Sequence, residues 1–171
     1  MISIIKVDFY NWEEIESDNL LFAVIVARFK DKWVLSKHKE RTTWEIPGGH
    51  REIGEDINNT AARELYEESG ANKFEMFPIC VYSVSKEVGD ISKHPTETFG
   101  GLYFAEIAEF KSLPDLEIDE IILLDELPKE LTYPEIQPHL LNKAIDFIKE
   151  IKNPHGIKYN DFNKRYLSGN I

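Results

Sequence analysis

With a single cysteine, Cys80, the chain can close no internal disulfide, so its fold must rest on a packed core, and a reducing, cytoplasmic location is expected. Cys80 sits in the apolar segment Ile79-Cys80-Val81-Tyr82 and reads as a small buried hydrophobe. Long hydrophobic runs are missing as well. The longest, Leu20 to Ala27, is far too short to span a bilayer, so no membrane partner is expected. The first residues, Met1-Ile2-Ser3-Ile4-Ile5-Lys6-Val7-Asp8, show no basic leader followed by an apolar stretch and a small-residue cleavage site, and export is not expected. Positive charge is scarce: 20 Lys plus Arg stand against 31 Asp plus Glu, a net charge of −11, which argues against an extended nucleic-acid partner. Such a protein can still hold phosphates if metal cations or a local basic patch screen the repulsion.

What is present is an ordinary balance, 42% apolar and 30% charged over 171 residues, enough for one core. We expect a single domain over residues 1–151 and a tail, 152–171, which Pro154 and its glycines leave between irregular chain and a short packed helix. Leu20 to Phe29 reads as a buried strand, paired with Lys32 to Ser36 across a turn at Lys30-Asp31. Trp44-Glu45-Ile46 is a short extended piece, and Pro47-Gly48-Gly49 then lets the backbone turn and approach a ligand closely. A helix is predicted from about Ile57 to Ser69, capped by Asp56 and ended by Gly70. Phe77 to Ser85, Phe99 to Ile107 and Ile121 to Leu124 read as strands, and residues 135–151 as an amphipathic helix.

Glu64, Glu67 and Glu68 stand at i, i+3 and i+4, within an arc of about 100° on one helix face. Like charges at this spacing repel, and Arg63, four residues before Glu67, can balance only part of them. A charge run is ordinarily a solvated helix face. The paired glycines, Glu55 at the loop-to-helix junction and Arg63 argue instead for a site completed by divalent cations, Mg²⁺ or Mn²⁺, whose preference for carboxylates, waters and phosphate oxygens makes a diphosphate the natural partner. The opposite face, Ala62, Leu65 and Ser69, suits close packing on a sheet.

Gly49, Glu55, Arg63-Glu64-Leu65, Glu67-Glu68, Gly70 and Ala71 match the signature of the Nudix hydrolase family: Gly, five residues, Glu, seven residues, then Arg-Glu-aliphatic-any-Glu-Glu-any-Gly-aliphatic. Ala71 is smaller than the usual residue there. Trp44 to Gly49 is similar to the strand entering the family's motif, and Leu124-Asp125-Glu126-Leu127-Pro128 to an element near its end, so the resemblance covers roughly residues 20–150. It implies an α/β/α sandwich around a mixed sheet, with Glu64, Glu67 and Glu68 as main metal ligands supported by Glu55 and Gly48. It also implies Arg63 and the three glutamates as catalytic residues, and hydrolysis by a metal-activated water. Glu120 resembles in placement an accessory glutamate of MutT-like members and is the expected general base, with Glu117 and Glu97 as alternatives.

Arg28, Lys30, Lys32, Lys37, His38, Lys39 and Arg41 form a basic stretch beside the motif, which His50 and Arg51 could extend. Lys37, Lys39 and Arg51 are the preferred phosphate contacts, with Gly49 leaving room for the substrate chain. Trp44, Tyr82, Phe99 and Tyr103 are candidates to stack on a base, Trp44 being taken as a substrate contact. The expected activity is cleavage of a nucleoside triphosphate, an oxidised one such as 8-oxo-dGTP included, to monophosphate and pyrophosphate. Where MutT-like enzymes place an asparagine to read the base, this chain has Glu135 and Gln137. Dinucleoside polyphosphates, ADP-ribose and other nucleotide sugars, and capped RNA ends are alternative substrates. A non-catalytic nucleotide sensor is the alternative of another class, although no motif carboxylate is lost. The expected partner is a small nucleotide, bound by a monomer or homodimer.

Overall fold

The computed structural model describes residues 3–88 and 96–170. In chain order they form β1 (Ser3–Tyr10), β2 (Leu20–Phe29), β3 (Lys32–His38), β4 (Gly48–His50), α1 (Ile57–Ser69), β5 (Ala71–Val88), β6 (Thr96–Phe110), β7 (Ile118–Leu124), α2 (Gln137–Glu150), β8 (Ile157–Tyr159) and α3 (Phe162–Leu167). The strands make one sheet in the order β1-β5-β6-β2-β3-β7, with β4 beside β2 and β8 beside β5. Strands β2 and β6 run parallel while the other pairs are antiparallel, so the sheet is mixed.

Strand β2 is central, and its near-continuous apolar run follows from burial on both faces. Ile25 joins the core under α1, with Ala61, Ala62, Leu65 and Tyr103. Its neighbour Val26 joins the core under α2, with Leu35, Leu102, Leu140 and Ala144. Helices thus cover both faces and the fold is an α/β/α sandwich. Cys80 lies buried and unpaired in the α2-side core. No helix of the described residues is long and apolar enough to cross a membrane.

The hairpin turn places Lys30 at φ 48° and Asp31 at φ 63°, the left-handed pair that a two-residue connection needs to match the twist of its strands. Helix α1 has the predicted bounds. Asp56 accepts hydrogen bonds from the Asn58 and Asn59 amides, and Gly70, at φ 76°, returns its N–H to Tyr66. Helix α2 begins at Gln137 rather than 135, with Pro138 in its first turn, where a missing N–H costs nothing.

Two elements were not expected, and the tail, left open by the sequence, takes the packed-helix alternative. Gly48–Gly49 lies in strand β4, paired with Val24 and Ala23, rather than in a turn. Strand β1, edged with Lys6 and Asp8, pairs with the long β5. The tail is ordered: Ile157–Tyr159 adds to β5 opposite Met76 to Phe74, and α3 docks Phe162 against Tyr66 and Phe74.

Candidate active site

Helix α1 turns its small and apolar face onto β2, which leaves Arg63, Glu64, Glu67 and Glu68 facing β4 and a cavity of about 790 Å³. Arg63 is the hub. Its Nε donates to Glu55 Oε1 at 2.7 Å and one terminal nitrogen to Glu55 Oε2 at 3.0 Å and to the His50 carbonyl at 2.9 Å. Its other nitrogen donates to Glu64 at 2.8 Å and Glu67 at 3.2 Å. These charge-assisted bonds fix the guanidinium as a planar brace and hold its pKa above the ordinary arginine value, the Glu55 bonds contributing most. Glu55 also accepts from Thr60 Oγ1 and the Glu52 amide. Burial pushes its carboxyl up, but the bonds from Arg63, Thr60 and Glu52 outweigh this and hold it below the usual carboxylate range. Glu55 is thus turned onto Arg63 rather than into the cavity.

The remaining acids are less well compensated. Glu68, 6% exposed, accepts from the Gly48 amide at 3.0 Å and Ser36 Oγ at 3.5 Å. Burial, reinforced by neighbouring acids, pushes its pKa up to about 9. Glu64, 8% exposed, is pushed to about 7, again first by burial and against the pull of Arg63. A Cβ on Gly49 would collide with the Glu64 carboxylate, so this glycine leaves room for that acid. One arginine shared among Glu55, Glu64 and Glu67, with Glu68 outside its reach, leaves an oxygen-only set lacking positive charge. Such a set suits a hard divalent cation, and Glu64, Glu67 and Glu68 all line the cavity. Among the described residues, the three ligand atoms that come within 4.8 Å of one another are those of His38, Glu45 and Glu68.

Besides these acids the cavity is lined by β4 and by the apolar side chains of Phe22 on β2, Tyr82 and Val84 on β5, and Ile136 and Leu140 at the start of α2. Gly48, Gly49 and Arg51 line it. Arg51 donates to the Ser17 carbonyl at 2.7 Å, which stiffens its loop. Lys37, Lys39, Glu120 and Trp44 do not line it. Lys37 lies opposite Glu120 across the β3–β7 pairing, ion-paired with it and with Asp119, and 5.5 Å over the Trp44 ring. Lys39 pairs with Asp115 at 2.6 Å. The cavity's guanidinium groups are instead those of Arg41, Arg51 and Arg63, with the His38 and His50 imidazoles beside them.

Among the alternative acids, Glu97 bonds Tyr10 on the surface, while Glu117 lines the cavity 3.2 Å from His38 Nε2. Of the aromatics, Tyr82 lines the cavity, packed 5.6 Å from Phe22. Tyr103 is fully buried and donates to Asn58, and Phe99 packs on Tyr10. Sequence reasoning missed Phe22, Tyr133 and Glu45. The register of β2 brings Phe22 to the site, the bridge between Ser36 and Glu45 brings Glu45, and the bridge between Trp44 and Leu131 brings the segment that carries Tyr133.

The NUDIX domain model matches residues 19–143. The protein YtkD of Bacillus subtilis (strain 168), named provisionally as an 8-oxo-dGTP diphosphatase, is 32% identical over 117 residues, which are 68% of this chain and 69% of that protein. A second B. subtilis protein with the same provisional activity in its name is 36% identical over 63 residues, 37% of this chain and 42% of its own. Among solved structures, a mutant of the B. subtilis pyrophosphohydrolase BsRppH superposes with a TM-score of 0.66 at 24% identity, covering 86% of this chain and 98% of its own. The chain therefore belongs to the Nudix hydrolase family, whose members use divalent metal to hydrolyse small nucleotide substrates.

Proposed function

We propose that this hydrolase cleaves a nucleoside triphosphate, oxidised purine forms such as 8-oxo-dGTP included, to the monophosphate and pyrophosphate, using Mg²⁺ or Mn²⁺ in the cytoplasm. The observation that carries this is the cavity itself: it is lined by both the acid cluster and apolar residues including Phe22 and Tyr82, with a volume of about 790 Å³ within the usual range for one small ligand. The provisional names of the two B. subtilis relatives support the oxidised substrate.

Bound divalent cations neutralise the diphosphate and make water more acidic. The chain's own residues do the rest. Glu64, Glu67 and Glu68 would hold the cations, Arg63 fixes two of these acids, and Arg41 and Arg51 would draw in phosphate oxygens. Glu117, which lines the cavity 3.2 Å from His38, would accept the proton of the attacking water, since Glu120 lies outside the cavity and is ion-paired with Lys37.

A panel of nucleoside triphosphates, their oxidised forms, dinucleoside polyphosphates, ADP-ribose and capped RNA, assayed with Mg²⁺, tests this. Triphosphates should give pyrophosphate and monophosphate. Turnover confined to ADP-ribose or dinucleoside polyphosphates would move the substrate class, and binding without turnover would make the protein a sensor. In the same assay Glu117→Gln should lower kcat by about 10²–10⁴-fold, the range for a lost general base, and Glu120→Gln should leave it unchanged. The reverse order would return the role to Glu120.

The acid site also predicts a pH-dependent metal effect. Without metal, the folded pKa values of Glu64 and Glu68, about 7 and about 9, lie above their ordinary value of 4.5. The native state then holds protons that the unfolded chain releases, and these groups lower stability as pH rises from 4.5 towards 9. Binding of Mg²⁺ must displace those protons. At a hundredfold excess over Kd the cation contributes about 2.7 kcal/mol, roughly 5–10 °C in Tm for this size of chain. At fixed Mg²⁺ the gain should be larger near pH 8.5 than near pH 6; differential scanning fluorimetry showing the opposite trend would refute the ligand set.

A further inference from the structure

The C-terminal segment lies outside the stretch matched by the NUDIX domain model, residues 19–143, yet it reaches the acid face. Tyr166 on α3 donates its hydroxyl to Glu67 Oε1 at 2.8 Å, across 99 residues of sequence. The other Glu67 oxygen accepts from Arg63 at 3.2 Å. A glutamate on a helix surface ordinarily samples several rotamers, whereas here two donors, one on each oxygen, fix the carboxylate in one. Both oxygens keep lone pairs free, since a carboxylate can accept about four bonds.

The tyrosine is itself held in place. Its ring packs 5.0 Å from Tyr66 on α1 and 6.4 Å from Phe162. Phe162 is 1% exposed and packs on Phe74, which stacks on Tyr159 at 4.9 Å. The pairing of β8 with β5 anchors Tyr159, and the Asn72 side chain, fully buried, accepts from the Asn163 amide at 2.9 Å. So extensive an anchorage delivers one polar group, the Tyr166 hydroxyl, to the acid cluster.

We infer that Tyr166 is a positioning residue for the Nudix site, its hydroxyl holding Glu67 in the orientation that receives the divalent cation. This rests on Glu67 being a metal ligand. A pre-oriented ligand loses less side-chain entropy when the cation binds, and outer partners of this kind are commonly worth ten- to a hundredfold in metal affinity or activity. The α3 docking thereby becomes part of the metal site rather than a covering of the core.

The test is Tyr166→Phe, which removes one oxygen and keeps the ring packing, with Leu167→Ala, an exposed neighbour (78%) on the same helix, as control. Titration with Mn²⁺ alone, followed by calorimetry, should show affinity about ten- to a hundredfold weaker in Tyr166→Phe and unchanged in Leu167→Ala. Tm in the absence of metal should match the wild type, and with a hydrolysed nucleotide kcat should fall more than KM, with partial recovery at high Mg²⁺. Wild-type Mn²⁺ affinity in Tyr166→Phe, with Glu67→Gln strongly impaired, would overturn the inference alone. Wild-type Mn²⁺ affinity in Glu67→Gln would overturn the ligand reading and the inference with it.

Discussion

Replacing Glu68 by Gln is expected to lower turnover by about 10²–10³-fold, the usual cost of removing one preorganised electrostatic element from a transition state, without unfolding the protein. Glu68 is buried and bonded to the Gly48 amide; glutamine has the same shape, and its carbonyl can keep that bond. What disappears is a carboxyl group whose pKa, without metal, burial and neighbouring acids push up to about 9, and which must lose its proton to bind a cation. Near neutral pH the metal-free variant should therefore melt at or above the wild-type Tm, since its folding no longer requires a buried acid to take up a proton. The gain in Tm on adding Mg²⁺ should shrink. This combination, a firmer fold and a weaker site, would mark a carboxylate kept for function at some cost in stability. Glu67→Gln should lose activity on the same scale. Wild-type turnover in both variants would remove these acids from the chemistry.

The second large effect separates two adjacent glycines. A Cβ on Gly48 would meet the Ala23 carbonyl oxygen at 2.5 Å and the Val24 backbone at 3.0 Å, atoms of β2 that cannot move without breaking the pairing Val24↔Gly48. A Cβ on Gly49 would meet the carboxylate of Glu64, the free end of a flexible side chain. Neither glycine is among the described residues with positive φ, so both are needed for space and not for backbone freedom. Gly48→Ala should thus destabilise the fold by about 1–3 kcal/mol, as overpacking does, a fall on the order of 5 °C in Tm. Gly49→Ala should leave the metal-free Tm nearly unchanged and expel Glu64 from its seat, with about a hundredfold loss of activity, comparable to losing one electrostatic element. Thermal melts in chelator, set beside initial rates, distinguish the two. Equal Tm losses with retained activity in Gly49→Ala would show that Glu64 has another place to go.

The same pair shows what could be read without coordinates and what could not. Two glycines after Pro47 predict a close approach of backbone to something, but a turn and a short central strand share that signal. The pairing of Gly48–His50 with β2 decides between them.

Local chemistry determined α1 and its acids. Asp56 and Gly70 satisfy the helix ends from within a few residues, and the spacing of Glu64, Glu67 and Glu68 follows from helical geometry alone. The apolar runs of β2 and the later strands marked them as buried, because burial on two faces writes itself into composition, while the sandwich itself followed from the resemblance to the Nudix signature. Tertiary structure alone decided which charges meet. Lys37 and Glu120 are paired with each other because β3 and β7 are neighbours in register, while Arg41, Glu117 and Phe22 arrive at the cavity by the same kind of pairing. Tyr166 reaches Glu67 only through the docking of a tail whose own sequence carries no periodic signal. Capping and helix-face patterns are short-range interactions and leave their mark within a few positions. Strand registers and tail docking are fixed by packing free energy between distant segments, and that sum exists only once the chain has folded.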